Sequence, residues 1–508
     1  MACFLGFCKT KAVNEKIRGF KYRYFRPHKN TQRTIKPFLL FPLIFSYRYA
    51  FTYLPIVYNQ RRCLGKYLRG NKMIAKTTHI EDTKKLLGML PTIQADVPEF
   101  IYIATNNARC GKADVTIKEG DHVNFGQVIG MRHAPYFDQP IHATVSGTFL
   151  GYEKHYHRSG KLVDFMKFQN DFKDTVDPSI KDRTDEEIAS LTKEQITEIL
   201  KNCASVGLGG SSFPTYVKFQ TDKKIDTILI DGIECEPYIT ADHRLMLEMS
   251  DEIIKGIKLL EQAFGCHDAR LCLKKKYHDL IALYTELFKR EKSSGITLAP
   301  VGNFYPQGWE VAMIKSATGI IVESGHLPSE YGIINFNVST VVGIYEAVKH
   351  NKPVAERYIS VSGDGIVSPS NFRVRVGTPV KSLIAMCGGY KDPEKDKVFI
   401  LGGPMMGASV PSDDVIVTKT VTSVLVFNAE QPKVEPCIRC GSCVLSCPVH
   451  LEPVQIMNAM KVMPVDKERV KALNPLKCIE CGLCSYCCTS KIPLLDYVRR
   501  AKIIAKLP

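Results

Sequence analysis

The sequence predicts a multidomain protein of mixed α/β and α+β class, with several folded modules in series. Three observations predict it. Residues 98–150 alternate at period two between glycine turns, strands and helices succeed one another from residue 192 to about 350, and closely spaced cysteines appear twice after residue 436. At 508 residues the chain exceeds what one hydrophobic core usually serves. An apolar content of 45% suffices for packed domains and argues against large-scale disorder.

The formal charge of +16 suggests an anionic partner until its distribution is read. Residues 1–72 carry 16 Lys and Arg against the single acid Glu15, whereas the rest of the chain carries 52 basic and 51 acidic side chains. The body is nearly neutral, and nucleic acid is not an expected partner. Within the basic extension, residues 37–58 are apolar and aromatic over about the length of a membrane span, but Pro37, Pro42, Pro55 and Arg48 interrupt them. Three readings of 1–72 stand: an artefact upstream of a true start at Met73, a peripheral anchor, or a basic, acid-poor targeting peptide. Beyond residue 73 no apolar run approaches the roughly 18 residues of a spanning helix.

The first folded module is expected over 95–155. "VTIKEGDHVNFGQVIG" and "PIHATVSGTFLGY" alternate inward and outward, with Gly120, Gly126, Gly130 and Gly147 at turns. Its form resembles a biotinyl/lipoyl barrel-sandwich. The hairpin tip "MRHAPYFDQP" lacks the modifiable Lys of a swinging arm, so the module reads as structural. Residues 160–190 are polar and charged, and read as a linker or edge.

An α/β domain is expected over 190–350. "TKEQITEILKNC" is an amphipathic helix and "DTILID" a short buried strand. Ser250 reads as the cap of a helix with Ile253, Ile254, Ile257 and Leu260 on one face. "ARLCLK" reads as a strand, "HDLIALYTELFK" as a helix and "GITLAPV" as a strand, so a Rossmann-like parallel sheet with both faces covered is expected. From 356 to 405 the period changes: two strands, the helix "PVKSLIAMC", Gly388–Gly389 and "KVFILGG" suggest a compact β-grasp module.

Nine of the 18 cysteines lie at or after Cys437 in tight spacings, unlike a secreted disulfide scaffold. Cys437, Cys440, Cys443 and Cys447 follow C-x2-C-x2-C-x3-C with Pro448 next, and the spacing recurs at Cys478, Cys481, Cys484 and Cys488. This is the two-cluster ferredoxin pattern, in which three close thiolates wrap one cubane and the fourth serves the other. It assigns Cys437, Cys440, Cys443 and Cys488 to one [4Fe–4S] cluster, and Cys447, Cys478, Cys481 and Cys484 to a second, in a helical domain over 430–508. Zinc knuckles would have no use for the third cysteine of each triplet. Cys487, beside Cys488, reads as a bystander.

The loop "VGLGGSSFPTYVK" crowds backbone N–H groups as an anion site requires, without being a Walker A or Rossmann loop. After the next strand, "DGIECEPYITADHRLM" places Glu234 and Glu236 at strand-end spacing, where α/β sheets collect ligands. Carboxylates beside a phosphate loop suit ribose hydroxyls or the N–H edge of a flavin or nicotinamide.

Together, "GLGGSSFPTYVK", "IDGIECEPYITADHRLMLE", "YPQGWE", "FNVSTV" and the doubled cysteine motif resemble RnfC, the C component of the Rnf complex, an ion-translocating, membrane-bound ferredoxin:NAD oxidoreductase. The resemblance covers about 95–505 and extends to the flavin subunit of respiratory complex I. It implies an FMN/NADH domain, an SLBB β-grasp module and a ferredoxin-type tail. It implies FMN phosphate on Gly207, Gly209, Gly210 and Phe213 with Lys218 nearby, and Asp231, Glu234 and Glu236 along flavin and nicotinamide, the two glutamates as catalytic groups. Tyr305, Gly308, Glu310 and Asn337 would complete the pocket. The implied partners are the other membrane and Fe–S subunits and ferredoxin, with the chain peripheral on the cytoplasmic face of the membrane. The chain departs from the family at Trp309, where Gly is expected, and at Val311, often Lys, and it lacks the N-terminal GG-x-HP signature.

Electron counting rationalises the set, because NAD(H) exchanges two electrons, a cluster one, and a flavin handles both. Two alternatives remain: a soluble flavin/Fe–S reductase for another client, cobalamin or amino-acid fermentation, and a flavin-free electron relay or scaffold. Neighbouring genes discriminate the first; flavin absorbance with NADH-dependent bleaching discriminates the second.

Overall fold

The alternation of the first module becomes two antiparallel sheets in the computed structural model, which describes residues 78–106, 110, 112–290, 295–430 and 432–507. The basic extension 1–72 lies outside the described residues. One sheet joins Lys112–Val115, Val128–Ala134 and Phe137–His142; the other runs Phe100–Ala104, Leu162–Asn170, Gly147–Tyr156, His122–Val123. Ile101, Ile103, Ile129, Ile141, Phe149 and Phe168 fill the space between them. Leu162–Asn170 corrects the reading of 160–190 as linker, since it is an inner strand. Met166 and Phe168 face the module's core, while Phe165 joins Tyr102, Ala104 and Ile416 on the other side.

The α/β domain carries a four-stranded, wholly parallel sheet in the order Ile296–Val301, Ala269–Lys274, Thr227–Asp231, Ile333–Asn337. Ile228 and Ile230 look into one core and Leu229 into another, so both faces are covered. Each fully buried aliphatic side chain contributes about 1.5–3 kcal/mol relative to exposure. Helix Lys193–Asn202 begins at a Thr192–Gln195 capping box. Ser250 is the first residue of helix Ser250–Phe264 and makes no side-chain cap; the preceding helix Ala241–Glu248 runs into it through Met249, which takes the cap position.

The third module is a six-stranded mixed sheet: Thr92–Gln94, Ser370–Arg375, Glu356–Ser362, Ser423–Asn428, Lys397–Leu401 and Ala408–Val410. It extends past residue 405, and Ser423–Asn428 pairs in parallel with Glu356–Ser362 at its centre. Helix Val380–Met386 packs on it through Val380, Leu383 and Ile384. The tail is helical, with Pro453–Lys461 and Leu494–Lys506 enclosing Ile456, Ala459, Val470, Val498 and Ala501. Among the described residues no helix is long and apolar enough to cross a membrane.

Candidate functional site

Strand order puts the edge strand Ile333–Asn337 beside Thr227–Asp231, on the side away from Ala269–Lys274 and Ile296–Val301, so the chain's connections diverge between these two strands and the crevice beyond their carboxyl ends is a topological switch point. Asp231 and Asn337 are paired across it. Asn337 caps helix Val338–His350, accepting from Ser339 N at 3.0 Å, and its Nδ2 donates to Asp242 Oδ2 at 2.8 Å. Ser339 Oγ donates to the other oxygen of Asp242 at 2.7 Å.

The glycine loop closes over this corner. Gly207 N donates to Phe213 O at 2.8 Å, Ser212 N to Gly207 O at 3.0 Å, and Leu208 N to Thr340 Oγ1 at 2.8 Å. A Cβ on Gly209 would stand 3.1 Å from the Asn337 side chain, and Gly210 has φ +106°, so loop and capping residue meet at a distance set by glycine. Phe213 makes an edge contact with Phe137 of the first module. Lys218, placed near the phosphate loop by resemblance, donates from Nζ to Asn335 O at 2.8 Å and stands over the Phe336 ring. Burial lowers its pKa, and Glu310, first residue of helix Glu310–Thr318, opposes the shift.

The three acidic residues have different surroundings. Burial raises Asp231 to about 7 against a hydrogen bond from Ile233 N to Oδ1. Glu234, in the left-handed region at φ 43°, accepts from Asp242 N at 2.8 Å and meets Lys84 at 3.2 Å through Oε2; burial still raises it to about 7. Glu236, likewise raised to about 7 by burial, accepts from Met405 N and Met406 N at 3.0 Å each. Glu234 thus stays with the switch-point group, while Glu236 clasps the turn after Lys397–Leu401 of the third module.

Tyr305 joins the second group. Its hydroxyl lies 2.8 Å from Cys481 O, to which it donates, and 3.3 Å from Glu236 Oε1. Tyr305, Met405, Cys481 and Leu483 form one buried cluster with Ile80, and Cys235 packs against it, while a Cβ on Gly308 would stand 3.2 Å from Cys235 Sγ. The pocket residues therefore divide between the glycine loop and the cysteine-rich tail.

In that tail two stretches repeat in backbone as well as sequence. Arg439 and Glu480 (φ 57° and 58°), Gly441 and Gly482 (74° and 77°), and His450 and Lys491 (57° and 54°) occupy matching left-handed positions. Each glycine starts a one-turn helix, Ser442–Leu445 or Leu483–Tyr486. A cavity between the stretches is lined by Cys447, Cys478, Cys481 and Cys484 with Pro448, Leu451 and Leu495. Cys478, Cys481 and Cys484 each lie within electrostatic reach of Cys447, and Cys443 lies within reach of Cys440 and Cys488. Burial pushes Cys481 up to about 12 and raises Cys484 well above the ordinary thiol value. Thiolates in so apolar a place need metal to balance their charge, so this donor set fits a cluster.

Three family models match the chain: the RnfC barrel sandwich hybrid domain over 72–173, the Nuo51 FMN-binding domain over 200–346 and the SLBB domain over 358–409. The chain is 35% identical over 364 residues to the C component of the Na(+)-translocating ferredoxin:NAD(+) oxidoreductase complex of Acetobacterium woodii, covering 71% of this chain and 81% of that one. The chain belongs to the RnfC family. It is also 31% identical over 429 residues to the C component of the proton-translocating ferredoxin:NAD(+) oxidoreductase complex of Clostridium ljungdahlii, covering 84% and 92%. An NAD+-reducing [NiFe]-hydrogenase structure aligns over 63% of this chain and 64% of that one, with a TM-score of 0.46 at 17% identity.

In this RnfC chain the FMN-domain match spans the glycine loop and the whole parallel sheet, and the residues fit a flavin phosphate. The Ser205, Ser212 and Thr215 hydroxyls, in and at the foot of the loop, are buried without a partner among the described residues. Sequence reasoning did not single out Asp242, Ser339 or Lys84. Asp242 stood inside a quoted motif; Lys84 carried no local signal, because its partner is 150 residues away.

Proposed function

We propose that this chain is the electron-transfer subunit of a membrane-bound, ion-translocating Rnf-type complex, passing electrons between NAD(H), FMN and two [4Fe–4S] clusters. The observation that carries the reading is the junction at Tyr305, whose hydroxyl donates to Cys481 O in the cysteine-rich tail and lies 3.3 Å from Glu236, on the segment that leaves strand Thr227–Asp231 of the α/β domain. Bound flavin supplies the conversion between paired and single electrons. The loop amides at Gly209 and Gly210 hold its phosphate, while Gly207 N closes the loop on Phe213 O; Asp231, Glu234 and Asn337 orient the ring system and nicotinamide. Glu236 anchors the Met405–Met406 turn, and Tyr305 keeps the second cysteine triplet against it. Cys437, Cys440, Cys443 and Cys488 hold one cluster, and Cys447, Cys478, Cys481 and Cys484 the other. Ferredoxin and the other Rnf subunits are its partners, with the chain peripheral on the cytoplasmic face of the membrane.

Anaerobically prepared protein will contain about eight irons per chain and one flavin, and NADH will bleach its cluster absorbance. Zinc, or about four irons, would overturn the two-cluster reading; a flavin-free chain inert to NADH would overturn the enzyme. Gly209→Val adds bulk where a single Cβ is already 3.1 Å from Asn337. It will abolish flavin retention while leaving the iron content unchanged, as flavin release and iron assay on one sample will report.

A further inference from the structure

Three cations from outside the α/β domain hold the glycine loop from behind. Arg357, on strand Glu356–Ser362, donates from Nη2 to Leu208 O at 2.6 Å and from Nε to Val421 O at 3.2 Å. Arg158, after strand Gly147–Tyr156, donates to Gly210 O at 3.0 Å and Thr420 O at 3.4 Å. Lys419 donates to Ala204 O, at the foot of the loop, at 3.0 Å. Among the described residues none of the three has a carboxylate ion-pair partner. The acid that acts on Arg357, Asp242, is already bound by Asn337 and Ser339. Arg499 adds repulsion to Arg158, and Arg132 to Lys419. Burial pushes Lys419 to about 7 and Arg357 to about 10, a cost that a nearby anion would relieve.

Peptide geometry converts this grip into direction. In a trans peptide the N–H points opposite to the C=O. Fixing Leu208 O on Arg357 therefore turns the Gly209 N–H away from it, and fixing Gly210 O on Arg158 does the same for the Ser211 N–H. The capped N-terminus of helix Val338–His350 meets the loop at Thr340, adding its own partial positive charge.

We propose that Arg158, Arg357 and Lys419 are positioning residues of a phosphate-monoester site: they hold the loop carbonyls back so that its amides face the ligand, and their uncompensated charge selects FMN over its dephosphorylated form. The proposal rests on the flavin reading above and adds the origin of its selectivity. It also makes flavin affinity depend on the first and third modules, which supply all three cations.

Full-length protein, stripped of flavin under anaerobic conditions with its iron retained, is titrated with FMN and with riboflavin by fluorescence quenching. Wild type will bind FMN at least about a hundredfold tighter than riboflavin; Arg158→Met, at a partly buried position, will lower that ratio about tenfold with riboflavin affinity unchanged. Arg357→Lys, which keeps charge at the buried position but loses the two-carbonyl grip, will lower it by a smaller factor. Equal weakening of both flavins, or no change in FMN affinity, would overturn the proposal. So would a wild type that binds both flavins equally. A wild type that takes up neither would overturn the flavin reading itself, and this proposal with it.

Discussion

Replacing Cys488 with serine will cost the chain about four of its eight irons, and replacing the adjacent Cys487 will cost none. Two consecutive thiols leave the fourth ligand of the first cluster ambiguous by type alone. The backbone repeat favours Cys488, because matching Arg439 to Glu480, Gly441 to Gly482 and His450 to Lys491 pairs Cys447 with Cys488. Cys487 and Cys488 both lie within electrostatic reach of Cys443, so nearness to the first triplet does not separate them. Cys487 points its Sγ at Cys484 O, 3.7 Å away, and packs with Cys443, Met457, Leu494 and Leu495. Iron and acid-labile sulfide per chain, with the reduced protein's EPR spectrum, will separate the two variants. Iron lost from Cys487→Ser and retained in Cys488→Ser would reverse the assignment.

Three of the four strands of the parallel sheet were legible because each is short and apolar among helical patterns, whereas Ile333–Asn337 was not read as a strand; the cysteine domain was legible because spacing is its geometry. Leu162–Asn170 was not. Asp164, Lys167 and Gln169 interrupt its apolar residues, and those residues serve two different cores, so no single alternation shows. Glu236 marks a different limit. A glutamate at strand-end spacing reads the same whether it lines a pocket or clasps a neighbour, and the Met405 and Met406 amides that occupy it lie about 170 residues away. Tyr305 was grouped with the pocket by resemblance; its bond to Cys481 O spans 176 residues and needed the fold to be seen.

Lys84→Met will destabilise the protein by roughly 3–5 kcal/mol at pH 8.5, the usual cost of stranding one member of a buried ion pair. The side chains of Lys84 and Glu234 are only 6% and 5% exposed, and Lys84 Nζ also donates to Glu234 O at 2.5 Å. Glu234 sits at about 7, above its ordinary value near 4.5, because burial outweighs the lysine. Between those two values the folded chain keeps a proton that the unfolded chain has lost, so this carboxyl makes stability fall as pH rises across the window. Removing Lys84 raises the carboxyl further. Its charge penalty is therefore largest at pH 8.5 and mostly absent at pH 6, where Glu234 is already protonated and only the lost bond to its carbonyl remains. Adding Glu234→Gln to Lys84→Met removes the stranded charge and will recover most of the loss at pH 8.5, with little effect at pH 6. Apparent Tm of the anaerobic holoprotein, taken at one scan rate at both pH values, measures this. A Lys84→Met deficit of the same size at both, unrelieved by the second substitution, would mean that Lys84 acts here by packing and that Glu234 carries no charge to neutralise.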